Sequence, residues 1–131
     1  MKRRTRGRPW PVNVLLSCPD HMLADLVARN LERRGCTVHQ VARPVRGDFS
    51  TPVSVPFDLV IADAEEEDVA AWERAAWLRA MFPYLPLIIL AHGEPGSARL
   101  EQLRPYHLVR KPFAIDELLA ACAVALSAAT A

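Results

Sequence analysis

The chain is 131 residues long, one domain's worth of polypeptide with room for a single core. Its 51% apolar and 24% charged residues are those of an ordinary globular domain, and a net charge of +1 argues against a dedicated nucleic-acid binder. No apolar stretch is long enough to span a bilayer, which argues against a membrane partner, and three dispersed cysteines without C-x-x-C spacing fit a reducing compartment such as the cytoplasm.

In chain order, residues 1–11 form a basic arm with Lys2, Arg3, Arg4, Arg6 and Arg8. It reads as a disordered, solubilising tail, with a weak contact to an acidic partner as the competing reading. A single domain is expected over 12–131. It begins with "VNVLLSCPD" (12–20), which stops at a cysteine and a proline. Behind a basic arm, "LLSC" resembles a lipobox with Cys18 lipidated. The apolar core, Val12 to Leu16 with Asn13 inside it, falls short of the ~7–15 residues of an export signal. Residues 12–17 read instead as a buried strand.

Residues 20–34 follow as a helix, with Asp20 as N-cap, Leu23, Leu26, Val27 and Leu31 on one face, and Gly35 as the stop. "CTVHQVA" (36–42) alternates and reads as an edge strand. A helix is then due, but "RPVRGDFSTPVSVP" (43–56) carries three prolines and a glycine and reads as a long extended loop. "FDLVIA" (57–62) is a strand. In 66–81 a helix is predicted with Val69, Trp72, Ala76 and Ala80 inward, Trp77 at the edge of that stripe and Pro83 as terminator. "LPLIIL" (85–90) is a strand, 96–104 a short helix, and "HLVR" (107–110) a strand. The last helix, 114–128, has Ile115, Leu118, Leu119, Cys122 and Leu126 on its inner stripe and Asp116 and Glu117 in its first turn, where the dipole favours acids.

Continuously apolar strands alternating with helices predict an α/β doubly wound parallel sheet, whose chemistry belongs at the carboxyl ends of the strands. Two residues stand out there. Asp63 follows one strand and Lys111, the only lysine beyond the arm, follows another, so both are expected in one crevice. Pro112 biases Lys111 away from helix and aims it inward.

These segments resemble the receiver domain of two-component response regulators. "FDLVIAD" is similar to the third strand with its phosphoacceptor aspartate, "RKPFAIDELL" to the lysine–proline–phenylalanine motif, "DLVARNLERRGCTV" to the first helix and "PLIIL" to the fourth strand, together covering about 12–128. The resemblance implies a flavodoxin-like five-stranded sheet in the order 2-1-3-4-5, here with the second helix replaced by a loop and no output domain following. It implies Asp63 as a carboxylate nucleophile and Lys111 as its partner and that of the phosphoryl oxygens. It implies a signalling protein of the phosphorelay type, not an enzyme, with a histidine kinase, phosphotransfer protein or effector as protein partner.

The sequence departs from that pattern. The acid pair that holds Mg²⁺ is replaced by Cys18 and Pro19, leaving at most Asp63 and Asp20 as metal ligands. Mg²⁺ asks for oxygen donors, so its binding is expected to be weak or absent. The switch positions hold Ala91, without a hydroxyl, and Leu108, without an aromatic ring. Slow phosphorylation, if any, is expected, and the alternative is a phosphorylation-independent pseudo-receiver that binds partners with Asp63–Lys111 as a brace. Glu65 to Asp68 either rebuild a metal site or stabilise the start of the following helix; the second reading is favoured. Cys18 reads as inert rather than reactive, Cys122 as core, and His92 and His107 as surface residues with no acid placed beside them. The last helix offers either a homodimer face or a plain solvated surface.

Overall fold

The computed structural model describes residues 10–41, 56–65 and 67–130. Five parallel strands, β1 (Asn13–Ser17), β2 (Thr37–Gln40), β3 (Leu59–Asp63), β4 (Leu87–Ala91) and β5 (His107–Arg110), form one sheet in the order β2-β1-β3-β4-β5. Four helices complete the described chain: α1 (His21–Glu32), α2 (Val69–Met81), α3 (Ser97–Leu103) and α4 (Ile115–Thr130). This is the doubly wound architecture expected. The basic arm and the loop expected at 43–56 lie outside the described residues, apart from Trp10, Pro11 and Pro56.

The three central strands are apolar apart from Asn13, Ser17 and Asp63 at their ends, because both faces of the sheet are covered. On one face Val14, Leu16, Leu59, Ile61, Ile88 and Leu90 pack with α1 and α4. On the other, Leu15, Val60, Ala62, Leu87 and Ile89 pack with α2 and α3. Alternation along each strand sends neighbouring side chains to opposite cores. β2, at the edge, is the half-exposed strand that its alternation predicted. Pro86 stays just outside β4 yet offers its carbonyl to the Val60 amide at 3.0 Å, so the sheet loses no donor to it.

The helix ends follow local chemistry. Asp20 caps α1 through Oδ1, which accepts from the Met22 and Leu23 amides at 3.0 and 3.2 Å. Gly35 closes the segment at φ +86, where a side chain would be strained. Asp68 caps α2, accepting from the Ala71 amide at 3.1 Å. The last helix buries Leu118, Leu119, Cys122 and Leu126 as expected, with Ile115 partly buried.

Two inner stripes differ from expectation. In α2 the buried residues are Ala71, Trp72, Arg74, Ala75, Leu78 and Arg79, while Val69 and Ala80 are exposed. Apolar residues surround this helix, so periodicity does not select a face. Packing does, and it draws in two arginines whose stems are apolar. In α1, Leu26 is 49% exposed and the small residues Ala24 and Ala28 pack inward with Val27 and Leu31. Close approach of that helix to the sheet favours alanine there over leucine.

Arg79 ties the amino-terminal side of the sheet together. Its guanidinium donates to the carbonyls of Leu103 (2.6 Å), Leu85 (2.9 Å), Arg104 (3.1 Å), Phe82 (3.2 Å) and Pro83 (3.2 Å). It thereby serves the end of α2, the loop into β4 and the end of α3. Arg104 itself has φ 49, a left-handed conformation uncommon for a residue with a side chain, and its carbonyl is one of the five.

Candidate functional site

The carboxyl ends of β3 and β5 bring Asp63 and Lys111 together. Asp63 is the last residue of β3, one residue further into the strand than expected, and is 3% exposed. Lys111 follows β5 at a cis peptide to Pro112, and its amide donates to the Ala91 carbonyl at 2.9 Å. That bond and the ring of Pro112 direct the lysine over the sheet edge, where its Nζ donates to Asp63 Oδ2. The second Asp63 oxygen, Oδ1, accepts from the Glu65 amide at 3.3 Å.

Glu65 is the residue that sequence reasoning left among the helix-starting acids. Its Oε2 lies 3.0 Å from Lys111 Nζ, and its Oε1 accepts from the His92 amide at 2.8 Å. The His92 ring also bonds Glu65, through Nδ1. His92 is therefore an exposed histidine with an acid beside it, contrary to expectation. The acids after Asp63 divide their tasks: Asp68 caps α2 and Glu65 turns back over the crevice. Glu66 lies outside the described residues. A signal for Glu65 was present in the sequence, since it stands two residues after a strand-end aspartate and can reach the same cation, but only the turn at 64–65 decides that it does.

Charges in the crevice reinforce one another. Burial pulls the Lys111 ammonium toward its neutral form, but Asp63 and Glu65 outweigh this and hold its pKa above the ordinary lysine value. Burial likewise raises Glu65, yet the His92 amide and the Lys111 ammonium overcome it and keep that carboxyl below the usual range. At the rim, Arg110 and Glu94 pair at 3.1 Å; both are exposed and contribute little.

The remaining predicted site residues take simpler places. Ala91 is buried at the end of β4 in the core beneath α2 and α3. Leu108 is half-buried against the core beneath α2 and α3. Cys18 follows β1; burial pushes its thiol up to about 11, and its Sγ rests 3.6 Å from the Asp20 carbonyl. A thiol held protonated is a poor nucleophile, in line with the inert reading. Cys122 is fully buried, with its thiol pushed up to about 12 by that burial. His107 opens β5 as an exposed residue.

The resemblance in sequence implies Mg²⁺ beside the aspartate, and the donor chemistry here does not match it. A thiol and a proline ring stand at Cys18 and Pro19, the Asp20 Oδ1 serves two helix amides, and Glu65 is committed to a lysine and a histidine. Among the described residues no three His, Cys, Asp or Glu side chains are grouped as a metal would require. No helix among them is long and apolar enough to cross a membrane.

No family model matches this sequence, and no curated protein does. Solved structures match it by shape. A response regulator receiver domain protein (CheY-like) from Methanospirillum hungatei superimposes with TM-score 0.73 at 18% identity, over 91% of this chain and 96% of that one. The receiver domain of a modulated diguanylate cyclase from Desulfovibrio desulfuricans gives 0.70 at 22%, over 91% and 96%. NtrX from Brucella abortus, solved with ADP, gives 0.72 at 19%, over 92% of this chain but only 27% of that one, so the similarity spans about a quarter of NtrX. The chain has the flavodoxin-like fold of response-regulator receiver domains.

Proposed function

From that fold we propose that the protein is a signalling module of the two-component type, with Asp63 at the phosphoacceptor position and a lysine–carboxylate brace where relatives place a metal. It acts by contact with a protein partner, a histidine kinase, a phosphotransfer protein or an effector, in the cytoplasm, and has no catalytic turnover of its own. The observation that carries this reading is Lys111 shared between buried Asp63 and Glu65. A cation already neutralises the aspartate, and a second carboxylate closes over it.

Phosphorylation of this site is the second reading, favoured by the meeting of Asp63 and Lys111 at one sheet edge. An Asp63 oxygen would attack the phosphorus of a donor while the leaving group departs with the electrons of its P–O bond, and Lys111 would follow the charge onto the phosphoryl oxygens. Three features oppose it: the acid pair is lost, Ala91 offers no hydroxyl, and Glu65 repels the incoming anion. Losing one such electrostatic donor costs about 3–4 kcal/mol of transition-state stabilisation in comparable sites.

The test is direct. The protein is incubated with Mg²⁺ and a small acyl phosphate, and intact mass is followed beside Asp63→Ala. The brace predicts no phosphate mass gain over the time in which an ordinary receiver is modified. A gain that disappears in Asp63→Ala would replace the brace with the phosphorylation reading.

A further inference from the structure

The Arg74 side chain is buried, and its guanidinium has no counter-charge among the described residues. It lies in the middle of α2 and is 5% exposed, and no hydrogen bond or ion pair to its guanidinium is found among the described residues. Arginine does not shed its proton, so the cost of burying this charge cannot be relieved by neutralisation. Arg79, one turn further along the helix, meets five carbonyls in the same situation. Arg74 instead faces a cavity.

That cavity, of about 190 Å³, lies at the carboxyl ends of β1 and β2 and is lined by Ser17, Cys18, His21, Gln40 and Arg74. Its polar groups are those an anion would seek. The Ser17 hydroxyl belongs to a residue 2% exposed and makes no hydrogen bond among the described residues. The Gln40 amide and the His21 ring can donate. The twelve-residue helix α1 begins there, adding the partial positive charge of its first turn. The nearby acid, Asp20, is turned to the Met22 and Leu23 amides, and among the described residues no acid lines the cavity. Asp63, Glu65 and Lys111 do not line it either, so it is distinct from the crevice above.

We propose that this cavity is a binding site for a small oxyanion, held chiefly by the planar fork of Arg74. The fork matches two oxygens of one phosphate or carboxylate at once. The volume is below the ~300–1,000 Å³ of sites for drug-sized molecules, which restricts the occupant to an ion of about the size of phosphate or a short carboxylate. This inference does not depend on how Asp63 is used.

The experiment follows amide and arginine Nε–H resonances of the labelled full chain during titration with inorganic phosphate and, separately, acetate, at constant pH and ionic strength. Saturable shifts are expected at Arg74, Ser17 and His21 with at least one of the two anions, the tighter one identifying a tetrahedral or a planar occupant. Saturation is expected to be lost in Arg74→Met. Arg74→Lys, which keeps the charge without the fork, is expected to weaken binding about tenfold and serves if the first variant does not fold. In anion-free buffer Arg74→Met is expected to melt no lower than the parent, because the charge removed has no partner among the described residues. Shifts that fail to saturate with both anions, that centre on Asp63 and Lys111, or that persist unchanged in both variants would overturn the proposal.

Discussion

Lys111 and Arg79 sit at opposite ends of the strands and solve the problem of an enclosed cation differently. Lys111, at the carboxyl ends of the strands, is neutralised by two carboxylates. Arg79, at the amino-terminal side, is surrounded by five neutral carbonyls. A flexible ammonium is a point charge that can be handed from one oxygen to another, which suits a crevice. A planar guanidinium with five fixed donors suits a joint, and Arg79 joins three chain segments: the end of α2, the loop into β4 and the end of α3. The first arrangement is electrostatic and responds to pH; the second is geometric, and the guanidinium stays charged although burial, with Arg104 adding to it, lowers its pKa.

Lys111→Met tests the electrostatic side and is expected to have the largest effect. It leaves the Asp63 carboxylate 3% exposed with a single backbone donor, and breaking a buried pair in this way costs about 3–5 kcal/mol. Denaturant unfolding of the variant should therefore show a clearly lower midpoint at pH 7, with part of the loss recovered in Lys111→Met/Asp63→Asn.

Arg79→Met tests the joint. The Leu103 carbonyl is the acceptor left without solvent, at about 1–3 kcal/mol for one buried unsatisfied group. The expected signature is a loss of the same size at every pH, with hydrogen exchange rising first at the end of α3. A loss confined to one pH range would erase the contrast with Lys111.

Removing the Asp20 cap by Asp20→Ala should cost about 1 kcal/mol, through the Met22 and Leu23 amides. If that residue instead served a metal, the substitution would change the response of melting temperature to added Mg²⁺; no such change is expected.

The smallest effect is in pH dependence. Lys111 has a raised pKa, so its contribution is complete below the unfolded lysine value near ~10.4 and fades as pH rises through the folded value. Glu65 has a lowered pKa, so its contribution is present above the unfolded value near ~4.3 and fades as pH falls through the folded one. These two contributions are flat between those limits, while the thiols of Cys18 and Cys122, held protonated in the fold, lower stability above the unfolded thiol value of about 8.5. Glu65→Gln is expected to flatten the acid limb and leave the alkaline limb largely in place, read from unfolding midpoints across pH.

Much of this was legible in order of appearance. Apolar runs without alternation marked the covered strands, the alternating run at 36–42 marked the edge, and Asp20, Gly35 and Asp116 marked helix ends, because each of these signals is local. Asp63 and Lys111 were legible because both stand at strand ends, and strand ends in a parallel sheet share one rim. The inward face of α2 was not legible, since a helix with alanine and tryptophan on several sides carries no single stripe. Nor was the role of Glu65, whose direction depends on a two-residue turn, or the pairing of His92, which arrives from another strand.

Sequence alone therefore determined the elements and their parallel arrangement, because backbone preference and side-chain chemistry are properties of neighbours along the chain. Tertiary structure decided which charges meet. Whether a lysine is shared by two acids, an arginine is enclosed by carbonyls, or another is left facing a cavity depends on distances between residues far apart in the chain, and those exist only once the sheet has formed.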